Sequence, residues 1–366
     1  MTVELPAGVP GIDVPQLAAW LARTLPDAGR IGAIEVIAGG RSNLTYVMDL
    51  VAGEHRRLVL RRPPLGHVLP TAHDMRREHR VLSALAGSAV PVPRPLALCT
   101  DEDVIGAPFY VMTYVEGRVL RTVEDAADVS AAQARALGEQ LGDVLADIHL
   151  LDAKAAGLAD FGRPEGYMTR QLRRWGKQWE SSHTARVRAS GGPMAAPEYN
   201  QLAVRLAERL PENGPAALVH GDFRLDNALV RFTPEPAIAA VVDWEMSTLG
   251  DPIADLGLTL VYWTDPGDDE RLAIPVGSTV TSAPGFGTGR EFADRYAART
   301  GFDLTELDFY VAFGCYKLAV VLEGIHARFL QHATVGEGFD QIGDSVPVLI
   351  ERAHRILDAG SPWPPA

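Results

Sequence analysis

In its second half the chain reads Leu218-Val219-His220-Gly221-Asp222-Phe223-Arg224-Leu225-Asp226-Asn227, and Asp243-Trp244-Glu245 follows sixteen residues after Asn227. Short apolar runs flank the first stretch, so we expect a tight loop between strands that brings Asp222 and Asn227 together. The second stretch follows the apolar run AAVV, which predicts that Asp243 lies at the end of a strand. Three oxygen-bearing side chains are therefore expected at neighbouring strand ends.

These residue types suit phosphoryl transfer. That reaction needs one group to accept the proton of the attacking hydroxyl and oxygen ligands to hold magnesium on the phosphates. Asp222 is the candidate catalytic base, and Asn227 and Asp243 are candidate metal ligands. His220 is expected to hold the loop by hydrogen bonds. The alternative is that these acids only cap turns in solvent.

The motifs HGDxxxxN at 220–227 and DWE…GDPxxDL at 243–256 resemble those of the aminoglycoside phosphotransferase and choline kinase branch of the protein-kinase-like superfamily. The resemblance covers nearly the whole chain in order. It implies that Asp222 acts as base, that Asn227 and Asp243 bind Mg²⁺, and that ATP is the second cofactor. It also implies that Asp255 braces the catalytic loop. Asp251 and Pro252 have the pattern of a helix start.

The order of elements predicts an α+β fold, with a small antiparallel β lobe and a larger, mainly helical lobe, as in protein kinases. We expect a β-rich nucleotide-binding lobe at 1–115 and a helical lobe with the catalytic loop and the acceptor pocket at 116–366. Helical spacing is seen at 13–25 and 72–86. Strand-like segments are 31–37, 44–51, 56–62, 90–100 and 107–117.

Glu78 lies on the same helical face as Met75, Leu82 and Leu85. A carboxylate on an apolar face is costly unless it is paired, and the strand before it supplies Arg61 and Arg62. Kinases carry a lysine at this strand position, which contacts ATP and pairs with such a glutamate. The Val-Leu-Arg-Arg-x-Pro form resembles the kinase-like domain fused to some acyl-CoA dehydrogenases. Strand register favours Arg61, Arg62 stays open, and a surface ion pair without function is the alternative.

Two further segments are interpreted by their position in a kinase. The loop Gly39-Gly40-Arg41-Ser42-Asn43 lies where backbone amides would cover the phosphates, although it reads equally well as an ordinary hairpin turn. Phe109 to Val115 matches the segment that joins the two lobes. Adenine would pair with backbone groups near Thr113 to Val115, and Met112 would line the pocket or simply pack in the core.

Composition limits the possible partners. The formal net charge of −13 argues against extended nucleic-acid binding. Only two cysteines, Cys99 and Cys315, are present, which excludes a disulfide framework. The first residues lack a signal-peptide pattern, and the apolar stretch Phe309–Leu322 is too short to cross a bilayer and contains Lys317. We therefore expect a cytoplasmic protein, monomeric or homodimeric, without a membrane partner.

The function predicted is an ATP- and Mg²⁺-dependent kinase that phosphorylates the hydroxyl group of a small molecule. The acceptor stays open among an aminoglycoside, a hydroxyacyl thioester, a choline-like alcohol and a sugar, and so does ATP or GTP preference. Arg173, Arg174 and Lys177 suggest an anionic acceptor, unless they form a solvated helix face; the acids at 265–270 could equally line a cationic site. Alternative functions are a pseudokinase or nucleotide-sensing module and a metal-dependent hydrolase.

Overall fold

The structure is a computed structural model, and it describes residues 8–37, 43–65, 73–190, 196–212, 214–274, 277–331 and 341–363. The chain forms two compact units. The first unit consists of residues 1–117 together with 239–247, and the second consists of residues 118–238 and 248–366. The segment 239–247, which carries Asp243, thus packs with the N-terminal residues although it lies far along the chain.

The first unit is built on an antiparallel sheet of five strands in the order β1-β2-β3-β5-β4. Two helices accompany the sheet, α1 before it and α2 between β3 and β4. The bounds are α1 Val14–Thr24, β1 Arg30–Val36, β2 Leu44–Val51, β3 Arg57–Arg62, α2 Met75–Leu85, β4 Pro95–Cys99 and β5 Phe109–Thr113.

The side chains of β3 and β5 alternate between the two faces of the sheet, as the pleat requires. Leu58 and Leu60 point into the core that also contains Leu17 and Trp20 of α1. Trp20 meets Phe109 edge to face, with 4.8 Å between the ring centroids. Arg61 and Tyr110 directly follow the core residues Leu60 and Phe109, so their side chains lie on the opposite face of the sheet, toward α2. This alternation decides which arginine of β3 can reach Glu78.

The second unit is mainly helical. Its strands are short, and two of them form an antiparallel pair in which Leu218 lies opposite Leu249. The helices are α3 Ala131–His149, α4 Tyr167–Ser190, α5 Pro197–Glu208, α6 Pro252–Tyr262, α7 Asp269–Leu272, α8 Gly289–Thr300, α9 Leu307–Leu330 and α10 Ser345–Ala359, and the strands are β6 Ala217–Val219, β7 Ala228–Arg231, β8 Ala237–Val241 and β9 Thr248–Gly250; β8 runs on into the first unit.

Helix α9 is the central helix of the second unit and packs against α4, α6 and α10. Gly257 of α6 allows a close approach, because a Cβ atom there would lie 2.6 Å from the carbonyl oxygen of Tyr310. From the sequence, the apolar stretch Phe309–Leu322 was expected to be too short to span a bilayer. The helix that contains it has 24 residues and, by length and composition, is long and apolar enough to cross one. Since 78% of its apolar window is buried inside the protein, its apolar surface is accounted for by the core.

Candidate active site

The loop between β6 and β7 brings Asp222 and Asn227 together, as the sequence predicts. Residues Leu225–Asn227 form a short 3-10 helix, which turns the chain back into β7. The Asn227 amide donates to the backbone carbonyl of Asp222 at 2.8 Å and to its carboxylate Oδ2 at 3.0 Å. Asn227 is buried, whereas the Asp222 side chain is 26% exposed. The loop thus presents one fixed carboxylate to solvent, which is what a general base requires.

Asp255 of α6 braces this loop from within the core. Its carboxylate accepts hydrogen bonds from the backbone amides of His220 at 2.6 Å and Gly221 at 2.8 Å. His149 of α3 lies 3.3 Å from the same carboxylate. Burial alone would raise the pKa of Asp255, but the hydrogen bonds from His149 and the loop amide outweigh it and lower that pKa. Asp255 therefore stays ionised and holds the loop, as the family resemblance implies.

Arg224 lies between two acids of the loop. Its Nε is 3.5 Å from Oδ2 of Asp222 and 3.1 Å from Oδ1 of Asp226. Its guanidinium group lies over the ring of Tyr262, 4.7 Å from the centroid. Burial raises the pKa of Asp226, and burial together with the nearby Asp222 carboxylate raises the pKa of Tyr262. The surroundings of Asp222 are therefore charged but largely enclosed on this side.

Lys317 of α9 also reaches the loop, a contact that the sequence analysis missed. Its ammonium group donates to the carbonyl oxygen of Gly221 at 2.7 Å and lies 5.4 Å from the ring centroid of Trp175. A single basic residue in the apolar stretch Phe309–Leu322 was the available signal, because an ammonium group removed from water needs a partner. The chain has only three lysines among its 34 Lys and Arg residues, Lys154, Lys177 and Lys317.

In the first unit, Glu78 and Arg61 form a buried ion pair. Arg61 Nε lies 2.9 Å from Oε2 of Glu78, which is 2% exposed. Glu78 accepts hydrogen bonds from the Tyr110 hydroxyl at 2.8 Å and from the Asn43 amide at 2.6 Å. Burial would lower the pKa of Arg61, but the surrounding carboxylates raise it, while burial raises the pKa of Glu78. The guanidinium group is thus permanently charged at this position.

Arg61 also contacts Asp243. Its Nη2 donates to Oδ1 of Asp243 and lies 3.8 Å from Oε2 of Glu245. The Asn43 amide donates to the same Glu245 oxygen at 3.1 Å. Asp243 has φ 67° and ψ 58°, a left-handed conformation that few non-glycine residues adopt and that tends to occur at functional sites. Its side chain is 33% exposed. One cation therefore joins the helix glutamate to the candidate metal ligand.

The structure distinguishes the two arginines of β3. Arg62 points to the opposite face, where its guanidinium group donates to the carbonyl oxygens of Gly11 and of Ile105, the latter at 3.0 Å. Arg62 thus fixes backbone segments near α1, and only Arg61 meets Glu78. The sequence preference for Arg61 agrees with this arrangement.

The remaining predicted nucleotide-binding residues are placed as follows. Met112 is buried at the end of β5, where it pairs with Val59. Thr113 already uses its amide to donate to the carbonyl of Arg94 at 2.9 Å, and Val115 is partly exposed. Gly39, Gly40 and Ser42 lie outside the described residues, whereas Asn43 is buried against Glu78 and Glu245.

The basic and the aromatic residues of α4 lie on different faces of the helix. Arg173, Arg174 and Lys177 are exposed, and Trp175 and Trp179 are buried. Only Arg174 of these basic residues stacks on an indole, 5.4 Å from the Trp175 ring centroid. Two of the four acids suggested for a cationic site are paired with arginines. Asp268 lies 2.7 Å from Arg352, and Glu270 lies 2.6 Å from Arg355.

The predicted metal ligands fit magnesium by their chemistry. Asn227 turns its amide nitrogen toward Asp222, which leaves its carbonyl oxygen as a donor atom, and Asp243 is a partly exposed carboxylate. Oxygen donors of this kind suit Mg²⁺. Across the described ranges, no group of three or more His, Cys, Asp or Glu residues could hold a metal ion, which the hydrolase alternative would require.

Residues 33–310 match the Phosphotransferase enzyme family. A mouse protein named acyl-CoA dehydrogenase family member 10 is 36% identical over 316 residues, which cover 86% of this chain and 28% of that protein. The rat acyl-CoA dehydrogenase family member 11 is 32% identical over 354 residues, covering 94% of this chain and 43% of that protein. The chain thus spans less than half the length of these relatives.

Solved structures show the same fold. A Ralstonia eutropha protein described as a candidate aminoglycoside phosphotransferase matches with a TM-score of 0.78 and 31% identity, over 95% of this chain and 98% of that one. Choline kinase from Cryptosporidium parvum matches with a TM-score of 0.60 and 12% identity, over 95% and 96% of the chains, and this supports the fold alone. The kinase-like fold and the family resemblance predicted from the motifs are confirmed.

Proposed function

Because this chain belongs to the phosphotransferase enzyme family, we propose that it is a small-molecule kinase that uses ATP and Mg²⁺ to phosphorylate a hydroxyl group of its acceptor. One observation carries the proposal. Asp222 is fixed by Asn227 and by the braced peptide of Gly221, yet its carboxylate remains partly exposed. A carboxylate held in this way can accept the proton of an incoming hydroxyl group as the oxygen attacks the γ-phosphorus.

The other candidate site residues have complementary roles in the proposal. Arg61, oriented by Glu78, would neutralise phosphate charge, and its planar fork suits phosphate oxygens. Asp243 and Asn227 would supply oxygen ligands to magnesium. When bound, that ion would offset charge on the transferring phosphoryl group. Met112, Thr113 and Val115 would line the adenine site, and because the Thr113 amide is engaged with Arg94, recognition there would use other backbone groups.

For the acceptor, the nearest charges favour an anionic molecule. Lys317 and Arg174 both flank Trp175, and the Lys317 ammonium group contacts Gly221, the residue before Asp222. A polycation would meet repulsion from these groups, whereas a carboxylate or phosphate group would form charge-assisted hydrogen bonds with them. Two relatives are named as members of the acyl-CoA dehydrogenase family. A hydroxyacyl thioester of coenzyme A, whose carrier contains phosphate groups, is therefore the first candidate to assay.

The test begins with the purified protein, ATP, Mg²⁺ and a panel of hydroxyacyl thioesters, sugars, choline and aminoglycosides, with products identified by mass spectrometry. In the Asp222→Asn variant we expect transfer to fall by about 10²–10⁴, the usual range for loss of a general base. ATP affinity should stay within about twofold, because the base acts on the acceptor. Near-normal turnover of a verified acceptor by this variant would exclude the mechanism.

A pseudokinase or nucleotide-sensing module is the second candidate, and the arginine in place of the kinase lysine favours it. It predicts tight binding of ATP with Mg²⁺ and no phosphorylated product for any acceptor of the panel. A product that disappears in Asp222→Asn would exclude it.

A further inference from the structure

Lys317 is the only one of the three lysines that enters the interior of the second unit. Lys154 and Lys177 are exposed, whereas Lys317 projects from the largely buried helix α9 and is itself only partly exposed. Burial lowers the pKa of Lys317, and the nearby Asp222 and Asp255 carboxylates oppose that effect. An ammonium group placed here costs solvation, so its retention calls for a specific partner.

The partner is the peptide of Gly221. Its carbonyl oxygen accepts from Lys317, and its amide donates to Oδ1 of Asp255 at 2.8 Å. Two charged side chains from different helices, α9 and α6, therefore hold opposite ends of one residue. Gly221 has φ +85°, a conformation that glycine adopts without penalty, so its orientation depends on such contacts rather than on local preference.

Asp222 is the next residue, so any rotation of the Gly221 carbonyl moves the Cα atom and the carboxylate of Asp222. A misplacement of about 1 Å in a reacting group can cost on the order of 100-fold in rate. The ammonium group also lies over the Trp175 ring, 5.4 Å from its centroid, which limits the positions that Lys317 can take.

We propose that Lys317 is a positioning residue for phosphoryl transfer, which clamps the Gly221 carbonyl and thereby fixes the Asp222 carboxylate while placing positive charge beside it. The proposal rests on the proposed kinase function for its kinetic consequence. Its structural consequence, a loop at 220–222 that loosens when the ammonium group is removed, is independent of any acceptor.

The experiment uses Lys317→Met, which keeps an apolar stem, and Lys317→Cys, which can be alkylated with 2-bromoethylamine to rebuild a lysine analogue. The two native cysteines are both buried, and wild type treated with the same reagent measures their contribution. Lys154→Met is the matched control, because Lys154 is exposed and its backbone amide contacts only Asp152 of its own turn.

For Lys317→Met we expect kcat with the acceptor identified in the panel to fall about 10- to 100-fold, with the KM for ATP within about twofold. Aminoethylation of Lys317→Cys should restore most of the lost kcat, which a misfolded variant would not allow. Hydrogen exchange of peptides covering 218–227 should accelerate in both unmodified variants and not in Lys154→Met.

Unchanged kcat and unchanged exchange in Lys317→Met would overturn the proposal, and so would a loss that aminoethylation does not repair. If instead Asp222→Asn has no effect on transfer while Lys317→Met still accelerates exchange at 218–227, the proposed function fails and the clamp stands. The two failures are therefore distinguishable.

Discussion

Replacing Arg61 with Met should destabilise the first unit by about 3 kcal/mol at pH 8. Loss of one partner from a buried ion pair typically costs about 3–5 kcal/mol, because the other charge stays buried without compensation. Glu78 would keep hydrogen bonds from the Tyr110 hydroxyl and the Asn43 amide, so we expect the lower end of that range. The Arg61–Asp243 contact adds little to this cost, since Asp243 is 33% exposed.

Arg57 provides a matched control on the same strand and the same face. It pairs with Asp49 at 2.8 Å, with side-chain exposures of 49% and 45%. Exposed pairs of this kind contribute less than about 1 kcal/mol, so Arg57→Met should be nearly neutral. Both variants would be measured by urea unfolding followed by circular dichroism, with hydrogen exchange of β3 reporting on the first unit alone.

The pH dependence follows from Glu78, whose pKa burial raises above its ordinary value. A protonated Glu78 needs no cation, so the destabilisation by Arg61→Met should be smaller at pH 5 than at pH 8. Stability in the variant is thus lost as pH rises through the pKa of Glu78 in the folded state. A loss no larger than that of Arg57→Met at pH 8, or one that does not depend on pH, would contradict this reasoning.

Two other substitutions test the nucleotide and acceptor sites. Asp243→Ala should weaken Mg²⁺-dependent ATP binding in calorimetry while leaving metal-free nucleotide binding largely unchanged, and equal affinity with Mg²⁺ would remove Asp243 from the metal site. Arg174→Ala should raise the KM for an anionic acceptor several-fold without changing the KM for ATP. Arg173→Ala is the control and should change neither KM, because Arg173 is exposed and does not stack on Trp175. The anionic-acceptor proposal would be overturned if the protein phosphorylated an aminoglycoside efficiently and Arg174→Ala did not change that rate.

The elements of the first unit could be predicted from sequence because period and pairing rules are local. Glu78 on an apolar helical face required a cation, and strand alternation selected Arg61 over Arg62. Asp251 indeed caps α6 by accepting from the amide of Ile253 at 3.0 Å, with Pro252 following it. The roles assigned to Asp222, Asn227 and Asp243 remain predictions, although the structure brings Asp222 and Asn227 together.

What could not be predicted are contacts between elements distant in sequence. Lys317 and Gly221 are 96 residues apart, and no periodicity within α9 indicates which loop its ammonium group will reach. The same holds for Asn43, which lies 202 residues before Glu245 and donates both to it and to Glu78. The left-handed conformation of Asp243 could not be predicted either, because the residue type alone does not tell which aspartate adopts it.

The arginine at position 61 is more than a substitute for a lysine. Residues 1–117 contain no lysine, so any cation that this segment offers to phosphate must be arginine or histidine. A lysine carries one ammonium centre, whereas the planar guanidinium group has five donors in a rigid fork. Arg61 can therefore hold Nε 2.9 Å from Glu78, donate from Nη2 to Asp243 and still retain donors for phosphate oxygens. Charge alone would not reproduce this arrangement, because a single ammonium group has to divide its contacts between both carboxylates and the ligand.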